Sequence, residues 1–464
     1  MMTREAILKE TIAAISTGMS NSGIGIVRMS GAEAIAVADR VFVPHGNKKM
    51  LSAAKSHTVH YGNIVFEGKI IDEVLVIVMK APHSYTCEDV VEIDCHGGVY
   101  VMKKILNALI KSGARPAEPG EFTKRAFLNG RIDLAQAEAV IDVINSKNQH
   151  ALNSSLKKLN GKLSEKIAEI RSELLENIAY IEAALDDPEH ISLDNYGDKL
   201  KSIVDNTVNN VEKLLKTVEN GKLFIQGVKT VIIGKPNAGK SSILNILAGY
   251  DRAIVTDIAG TTRDTIEEQI NLEGITLNLI DTAGIRDTED VIEGMGVERA
   301  RSLACEADLI LYVVDSSTSL DSNDYDILDI IKERRTVVLL NKSDLEPVTT
   351  ARTLNKVTDA KVISVSAKDN TGLEELSDYI VKLFTNGELD YNDEIYITGE
   401  RNKAALENAL ESLLQVKKSI EENMPEDFYT IDLMSAYDEL GKIIGESVED
   451  DLVNEIFAKF CMGK

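Results

Sequence analysis

The sequence is poor in cysteine and in long apolar runs, and each shortage excludes a class of protein. Its 464 residues include four cysteines, which are scattered as Cys87, Cys95, Cys305 and Cys461. This spacing suits neither a disulfide framework nor a metal-binding cluster. The longest apolar runs, at 74–79 and 309–314, fall well short of the roughly 18 residues that a membrane span needs. Residues 1–5 begin no apolar secretory segment. We therefore expect a soluble, cytoplasmic protein with no membrane segment.

Positive charge is also scarce. The chain carries 51 basic and 75 acidic residues, which gives a net charge of −24. Surfaces that bind nucleic acid broadly are basic, so RNA, if it is a partner, must be contacted locally or through a second protein that supplies positive surface. Acidity also serves solubility, which explains most of this charge without any partner. The length is enough for roughly three domains.

A glycine-rich motif at residues 234–241 predicts a phosphate-binding loop, or P-loop. The apolar run 230–233 precedes Gly-x-x-x-x-Gly-Lys-Ser, and a helical pattern follows it. This order lets backbone N–H groups and the positive end of a helix dipole converge on phosphate oxygens. We expect Lys240 to reach the β- and γ-phosphates and Ser241 to ligate Mg²⁺. A chance glycine turn is the alternative, but it would not need the flanking strand and helix.

Two later motifs are expected at the γ-phosphate. Thr262 lies in the polar loop 260–264, and it would complete the coordination of Mg²⁺. Asp281 follows a strand-like run and would hold Mg²⁺ through water, while the N–H group of Gly284 would face the γ-phosphate.

Two further motifs are expected at the base. The carboxylate of Asp344, in the motif 341–344, can accept both N–H groups on the guanine edge, which adenine does not offer together. The motif 366–368 would support the base through backbone N–H groups. All five motifs stand in the order of a Ras-type GTPase, which predicts a doubly wound sheet with the ligand at the carboxyl ends of its strands.

The expected catalytic machinery lacks one familiar part. Ile285 follows the motif 281–284, where Ras-like enzymes carry a glutamine that positions water. An aliphatic side chain cannot orient water, so another group must do so. Glu293 lies on the next segment and could act as base or orienter, directly or through a bridging water. A solvated surface charge is the alternative for Glu293.

The regions that flank the nucleotide motifs are of two kinds. Strand-like runs near 25–28, 57–66, 74–79 and 90–94 and a helix pattern near 98–111 predict an N-terminal α/β domain. Leucine and isoleucine recur at steps of three or four between 152 and 185, with an 11-residue repeat. This pattern predicts one stripe on a long, nearly straight helix.

Further apolar stripes at 200–218 and 406–420 predict additional helices, and 432–460 is also expected to be helical. We expect these helices to form one discontinuous helical domain that is interrupted by the nucleotide domain. The predicted segments are an N-terminal domain, the first helical part, the nucleotide domain and the second helical part, at 1–119, 120–222, 223–384 and 385–464.

Three segments carry a resemblance to a known family. They are Gly120–Ala139, Asp257–Asp264 and the final Phe460–Lys464, and the first and last have no place in a generic GTPase. With them, the whole chain resembles the tRNA-modification GTPase family called MnmE or TrmE. The fold implied is a folate-binding-like α/β domain, a discontinuous all-α domain and an inserted Ras-like GTPase domain.

The expected GTP-binding residues come from the five motifs and the segments that the resemblance adds. They are Asn237, Ala238, Gly239, Lys240, Ser241, Ser242, Thr256, Asp257, Ile258, Ala259, Gly260, Thr261, Thr262, Asp281, Thr282, Ala283, Gly284, Asn341, Lys342, Asp344, Ser366, Ala367 and Lys368.

The resemblance implies activation by K⁺, which would sit at the phosphates where other GTPases place an arginine finger. There it would offset charge that develops in the transition state. The expected potassium ligands are a side-chain oxygen of Asn237 and backbone oxygens near Thr256, Ile258 and Thr261. A loop-stabilising side chain is the alternative for Asn237.

Glu293 matches the family's water-orienting glutamate. Together with Asp281 and Lys240 it forms the expected catalytic set. In the family two GTPase domains face each other across a homodimer and close the potassium loop.

The N-terminal domain of the family resembles folate-binding aminomethyltransferase domains, which implies dimerisation and a tetrahydrofolate derivative in the 5-formyl or methylene form. By motif match, Arg28, Glu88, Arg131 and Lys464 would contact it. A carboxylate can bind the pterin edge, and basic groups suit the glutamate tail. A surface ion pair is the alternative for Arg28, and a lysine in place of Arg131, which the family can carry, would keep the charge and change the donor geometry. Cys461 is either a bystander or a nucleophile of lowered pKa.

The resemblance also implies a partner, the flavoprotein MnmG (GidA), which bears FAD and uses NADH. A heterotetramer of the two would add an aminomethyl or carboxymethylaminomethyl group at C5 of the tRNA wobble uridine, with folate as the carbon donor. Two alternatives stay open. One is a ribosome-assembly GTPase that acts only as a binding switch, and the other is a folate enzyme that the GTPase merely regulates.

Overall fold

The structure is a computed structural model that describes residues 10–46, 50–194, 196–250, 268–280, 296–385, 397, 399–446, 450–460 and 463. Contacts divide the chain into two compact units. The N-terminal unit comprises 1–141, 158–197 and 418–464, and the P-loop unit comprises 142–157 and 198–417. Each unit is therefore built from separate stretches of the chain, and each is described by itself.

The N-terminal unit contains a seven-stranded sheet whose strands lie in the order β3-β4-β5-β6-β2-β1-β7. The strands are β1 (Ile12–Ile15), β2 (Ile24–Ser30), β3 (Phe42–Pro44), β4 (Thr58–Phe66), β5 (Lys69–Met79), β6 (Val90–His96) and β7 (Arg115–Pro116), and the helices among them are α1 (Ala34–Asp39) and α2 (Val99–Lys111). The predicted strands and the predicted helix near 98–111 are confirmed.

Alternation along β5 explains the layering of this sheet. Val74, Val76 and Val78 are buried, while Leu75 between them is exposed. Because successive side chains of a strand point to opposite faces, one face carries the core. That core includes Met102 and other apolar residues of α2.

The helical region begins with α3 (Glu121–Leu128) and α4 (Leu134–Asn145). The long helix expected over 152–185 is wrong: α5 (Gln149–Leu159) and α6 (Lys162–Asp186) are separate helices. Gly161 lies between them with φ of 85°, a left-handed conformation that ends helices and favours glycine. The apolar repeat marks a buried side only in α6, where Leu163, Ile167 and Leu174 are buried, whereas Leu156 of α5 is exposed. A periodic pattern does not record backbone continuity. The stripe predicted at 200–218 is confirmed within α7 (Tyr196–Gln226).

The P-loop unit contains a six-stranded sheet in the order β13-β12-β11-β8-β10-β9. Its strands are β8 (Val228–Gly234), β9 (Glu268–Leu272), β10 (Ile275–Leu279), β11 (Leu309–Asp315), β12 (Thr336–Asn341) and β13 (Lys361–Ser364). Its helices are α8 (Lys240–Tyr250), α9 (Gly296–Glu306), α10 (Ser322–Ile331), α11 (Ala351–Leu354) and α12 (Leu373–Thr385).

All neighbouring strands of this sheet are parallel except β9, which pairs antiparallel with β10. Ile232 of β8 faces a core that contains residues of α8 and α12, and Val231 faces a second core with residues of α10. The sheet is thus covered on both faces, and the doubly wound fold is confirmed. In the sheet β8 lies between β10 and β11, so the strand order reverses at β8. The loop after β8 therefore opens where such sheets bind ligands.

The chain ends in α13 (Glu400–Glu421), α14 (Glu426–Ile444) and α15 (Asp450–Ala458). In the N-terminal unit α14 packs along α6, where Arg171 donates to the carbonyl of Tyr437 at 3.1 Å and its guanidinium lies 4.0 Å from the Tyr437 ring centroid. Helices from before and after the nucleotide fold thus pack together in the N-terminal unit, whereas 198–222 and 385–417, which were expected in the same helical domain, are part of the P-loop unit. Among the helices that the structure describes, none combines the length and apolar content of a bilayer crossing.

Candidate functional site

The P-loop connects β8 to α8 through residues 235–239. Asn237 and Gly239 have φ of 62° and 97°, and Gly234 has φ of 154°. At Gly239 a Cβ atom would collide with the side-chain amide of Asn341, so both conformation and space require glycine there. The loop therefore has the strand–loop–helix geometry that the motif predicts.

Lys240 is directed back over this loop. Its ammonium donates to the carbonyl of Gly234 at 2.9 Å and to the carbonyl of Lys235 at 2.7 Å. Burial lowers the pKa of Lys240, because removal from water disfavours the charged form. The ammonium is thus pre-positioned at the start of α8, whose N-terminal end favours anions. Ser241 follows in the first turn, where its hydroxyl oxygen suits Mg²⁺ that also binds phosphate oxygens.

Asn341 joins the phosphate loop to the base loop. Its side chain is about 1% exposed; its amide group donates to the carbonyl of Ala238 at 2.9 Å, and its amide oxygen accepts from the N–H of Ala367 at 3.3 Å. One side chain thereby connects two loops that are more than a hundred residues apart in sequence. The structure brings the predicted phosphate and base motifs to one edge of the sheet.

Asp344 is held by the base loop. The hydroxyl of Ser366 donates to one carboxylate oxygen of Asp344 at 2.8 Å, and the ammonium of Lys368 lies 4.0 Å from the other. Ser366 in turn accepts from the N–H of Asp369 at 3.2 Å. The carboxylate is mostly buried, with 13% of its side chain exposed, so its orientation is restricted.

Lys342 is used differently from its neighbours in the motif. Its ammonium lies 2.6 Å from the carboxylate of Asp315 at the end of β11, and its carbonyl accepts from the hydroxyl of Ser316 at 2.9 Å. Burial acts to raise the pKa of Asp315, but the hydrogen bonds from Lys342 and Ser317 outweigh it and lower that pKa. Lys342 therefore fixes the base motif against the neighbouring strand.

Thirteen of the predicted site residues lie outside the described part of the chain. They are Thr256, Asp257, Ile258, Ala259, Gly260, Thr261, Thr262, Asp281, Thr282, Ala283, Gly284, Glu293 and Lys464. Their predicted roles stay predictions.

A second cluster of predicted residues lies in the N-terminal unit, around the ring of Tyr85. The guanidinium groups of Arg28 and Arg131 lie 5.8 and 4.8 Å from its centroid. Arg28 also pairs with Glu92 at 2.6 Å and donates to the carbonyl of Gly463 at 3.3 Å. Arg28 thus forms an ion pair, which was the alternative considered for it, but this pair lies in a cluster that also contains Gly463.

Glu88 is anchored within this unit. Both of its carboxylate oxygens lie 3.1 Å from a guanidinium nitrogen of Arg125, and one oxygen accepts from the hydroxyl of Ser30 at 2.6 Å. Arg125 is fully buried and also binds Glu121 at 3.0 Å, and Arg115 reaches Glu121 at 2.7 Å. Glu88 itself keeps 12% of its side chain exposed. The side chain of Glu88 is therefore fixed and still partly exposed.

The sequence did not single out the residues that hold the predicted binding residues in place. Arg125, Ser30 and Tyr85 support the N-terminal cluster, and Asp315 supports the base motif. One signal was present, because Glu121 and Arg125 stand four residues apart on a helix, the spacing of an ion pair. Nothing in the sequence linked Arg125 to Glu88, which lies 37 residues earlier.

Comparisons with known proteins cover nearly the whole chain. A family model described as the GTP-binding protein TrmE N-terminus matches residues 11–131, and one described as the MnmE helical domain matches residues 134–461. A protein of Lachnoclostridium phytofermentans named tRNA modification GTPase MnmE is 57% identical over 455 residues, which cover 98% of this chain and 99% of the relative. Relatives of the same name from Acetivibrio thermocellus and Clostridioides difficile are 47% and 46% identical, over 98% of this chain and 99% and 100% of their own length.

Proposed function

Because the chain belongs to the MnmE family of tRNA modification GTPases, we propose that it binds and hydrolyses GTP in the P-loop unit as part of tRNA modification. One observation carries the nucleotide site. Asn341 contacts both the phosphate loop, at Ala238, and the base loop, at Ala367. A nucleotide between these loops would have its phosphates and its base recognised by groups that are already held together.

At the phosphate end we assign Lys240 to the β- and γ-phosphates and Ser241 to Mg²⁺. The half-buried ammonium at the start of α8 suits phosphate oxygens, and the adjacent hydroxyl suits a metal that keeps most of its coordination for water and phosphate. The metal, when bound, neutralises charge on the phosphates. Water attacks the γ-phosphorus, the bond to the β–γ bridging oxygen breaks, and GDP and phosphate leave.

At the base end we assign guanine recognition to Asp344, with Lys342, Ser366, Ala367 and Lys368 as supports. The carboxylate is held by Ser366 and is mostly buried, so it can accept two guanine N–H groups at little entropic cost. Adenine has no matching pair of donors, which would make the site selective for GTP.

Potassium activation is the next part of the proposal. Asn237 is exposed and lies in a left-handed conformation at the tip of the P-loop, where its amide oxygen is available to a cation. The donor type suits a hard monovalent ion, and such an ion would offset transition-state charge. Thr256, Ile258 and Thr261 as further potassium ligands, Thr262 as a magnesium ligand, and Asp281 and Glu293 as catalytic residues, are assigned from the family resemblance.

In the N-terminal unit we assign a tetrahydrofolate derivative to the cluster around Tyr85. Arg28 and Arg131 supply cationic groups over an aromatic ring, and Glu88 supplies a fixed carboxylate edge. This set fits a ligand with a flat donor edge and an anionic tail, and the ligand would supply a one-carbon unit when bound. Gly463 lies at the cluster, which supports Lys464 as a further contact.

We also propose a cytoplasmic homodimer that acts with the flavoprotein MnmG on C5 of the tRNA wobble uridine. The sheet face opposite the core supports self-association. Tyr61 pairs with Leu75, so both point to one face together with Val59, and these side chains are 43%, 44% and 59% exposed. Apolar side chains grouped on one face are typical of an interface.

Two measurements test this proposal. Phosphate release from GTP should be faster in K⁺ than in Na⁺ at equal ionic strength, and Asn237→Ala should abolish the difference. Equal rates in the two salts would contradict potassium activation. Nucleoside analysis of tRNA from a strain without this protein should show unmodified wobble uridine. An intact modified nucleoside in that strain would contradict the role in tRNA modification.

A further inference from the structure

Lys235, the first residue after β8, is bound to the start of α10. Its ammonium donates to the carboxylates of Asp324 at 2.6 Å and Asp321 at 2.9 Å. These partners are almost ninety residues away along the chain. The side chain of Lys235 is 23% exposed and that of Asp324 is 2% exposed, so the shorter contact is shielded from water.

Asp324 is itself held on every side. The hydroxyl of Tyr312 donates to one carboxylate oxygen at 2.7 Å, and the N–H of Asp321 donates to the other at 3.0 Å. Asp321 returns the contact by accepting from the N–H of Asp324, which forms a capping box at the start of α10. Because Tyr312 is fully buried in β11, the anchor for Lys235 belongs to the core of the fold.

The backbone of Lys235 has a second role. Its carbonyl is the nearer of the two oxygens that accept from the ammonium of Lys240. The side chain of Lys235 thus binds α10 while its carbonyl binds Lys240. A rotation of the backbone at residue 235 would disturb both contacts.

The charges are consistent with a permanent clamp. Burial acts to lower the pKa of Lys235, but the hydrogen bonds to Asp324 and Asp321 outweigh it and raise that pKa. Hydrogen bonding to Lys235 likewise lowers the pKa of Asp321. Lys235 therefore keeps its charge to a higher pH than a free lysine does, and Asp321 keeps its charge to a lower pH than a free aspartate does.

We propose that Lys235 is a positioning residue for the phosphate-binding loop: clamped by Asp324, which Tyr312 holds in place, it fixes the carbonyl that orients Lys240 before nucleotide arrives. This inference rests on the proposed GTP site. Lys235 need not contact the nucleotide for this role. A loop that is already ordered loses less conformational entropy when the nucleotide binds.

The test starts from three single variants of the full chain. Lys235→Met removes the charge and keeps the apolar stem, and Lys235→Arg keeps the charge. Lys361→Met is the matched control, because it removes an ion pair of 2.8 Å to Glu375 elsewhere in the P-loop unit. Affinity for GTP and GDP in the presence of Mg²⁺, preference for GTP over ATP, kcat and KM separately, and thermal unfolding are measured for each.

We expect Lys235→Met to weaken GTP and GDP binding roughly tenfold, the effect of one charge-assisted hydrogen bond. The preference for GTP over ATP should not change, because Asp344 is untouched. Lys235→Arg should recover most of the affinity, and Lys361→Met should bind as wild type.

Tyr312→Phe offers a milder variant, since it removes one hydroxyl and keeps the ring. It should weaken binding less than Lys235→Met, and the double variant should show little additional loss because both act through Asp324.

Wild-type affinity in Lys235→Met, with only a lower unfolding temperature, would show that the clamp is purely structural and would overturn the inference. Equal losses of affinity and of guanine preference would overturn it too, because they would indicate general loosening of the unit. If the wild-type chain did not bind GTP, the proposed function itself would fail, and the inference with it.

Discussion

The two candidate sites are held together by different kinds of contact. At the phosphate loop of the P-loop unit, the two central side chains bind the backbone, since Lys240 and Asn341 both donate to loop carbonyls. In the N-terminal unit side chains bind side chains, and a buried network links Glu88, Arg125 and Glu121.

This difference has consequences for how each site tolerates change. A backbone carbonyl that loses a side-chain donor can be hydrated by water, so the fold of the unit should persist when Lys240 is lost. A buried network of charges holds together only while every ion has its partner, because an unpaired buried charge is strongly destabilising. We therefore expect substitutions in the first site to affect function and substitutions in the second to affect stability.

The largest expected effect is on the stability of the N-terminal unit. Arg125→Met leaves Glu88 and Glu121 without their buried partner, so local unfolding should become easier by about 3–5 kcal/mol. Hydrogen exchange of the β2 and β6 amides measures this. Lys111→Met is the control: it breaks an exposed pair with Glu67 and should cost at most about 1 kcal/mol. Equal effects of the two variants would show that the buried charges contribute no more to stability than an exposed ion pair does.

The second effect concerns activity in the P-loop unit. Lys240→Ala should lower GTP hydrolysis by roughly 10²–10³, the effect of removing one preorganised donor from developing charge. The unfolding temperature should change little, because the partners of Lys240 are carbonyls that water can hydrogen-bond in its place. Lys229→Met, on the exposed part of β8, should hydrolyse GTP normally. If Lys240→Ala lowered the unfolding temperature as well as the activity, the expected difference between the two sites would be wrong.

A smaller loss is expected at the link between the loops. Asn341→Ala leaves the carbonyl of Ala238 and the N–H of Ala367 without this partner, so GTP binding should weaken by about 1–3 kcal/mol. Calorimetric titration with GTP gives the value. Unchanged affinity would mean that the two loops hold their places independently.

The smallest effect is a response to pH in the N-terminal unit. The hydrogen bond from His96 to Asp72, 2.7 Å long, raises the pKa of His96 above its ordinary value. Because the folded pKa is the higher one, this contribution to stability is complete below the unfolded pKa and is lost as pH rises through the folded pKa. Asp72→Asn should lower the pKa of His96 in an NMR titration. His96 is exposed, so the change in stability should be slight, and an unaltered titration would show that the pair does not form in solution.

Prediction from sequence succeeded where the determinants are local. The glycine spacing at 234–239 and the order of later motifs predicted the doubly wound sheet, and the structure places Lys240, Asn341 and Asp344 at one edge of it. It failed at Gly161, because periodic burial does not reveal a single left-handed residue. It also missed Arg125 as the partner of Glu88, since no local pattern links residues on different elements.

By itself the sequence determined the succession of strands and helices and the identity of a nucleotide fold, because hydrophobic period and glycine placement act over a few residues at a time. Only the tertiary structure decided which charges meet. Lys235 with Asp324, and Arg125 with Glu88, are joined across distant segments, because residues so far apart in the sequence meet only when the elements that carry them have packed together.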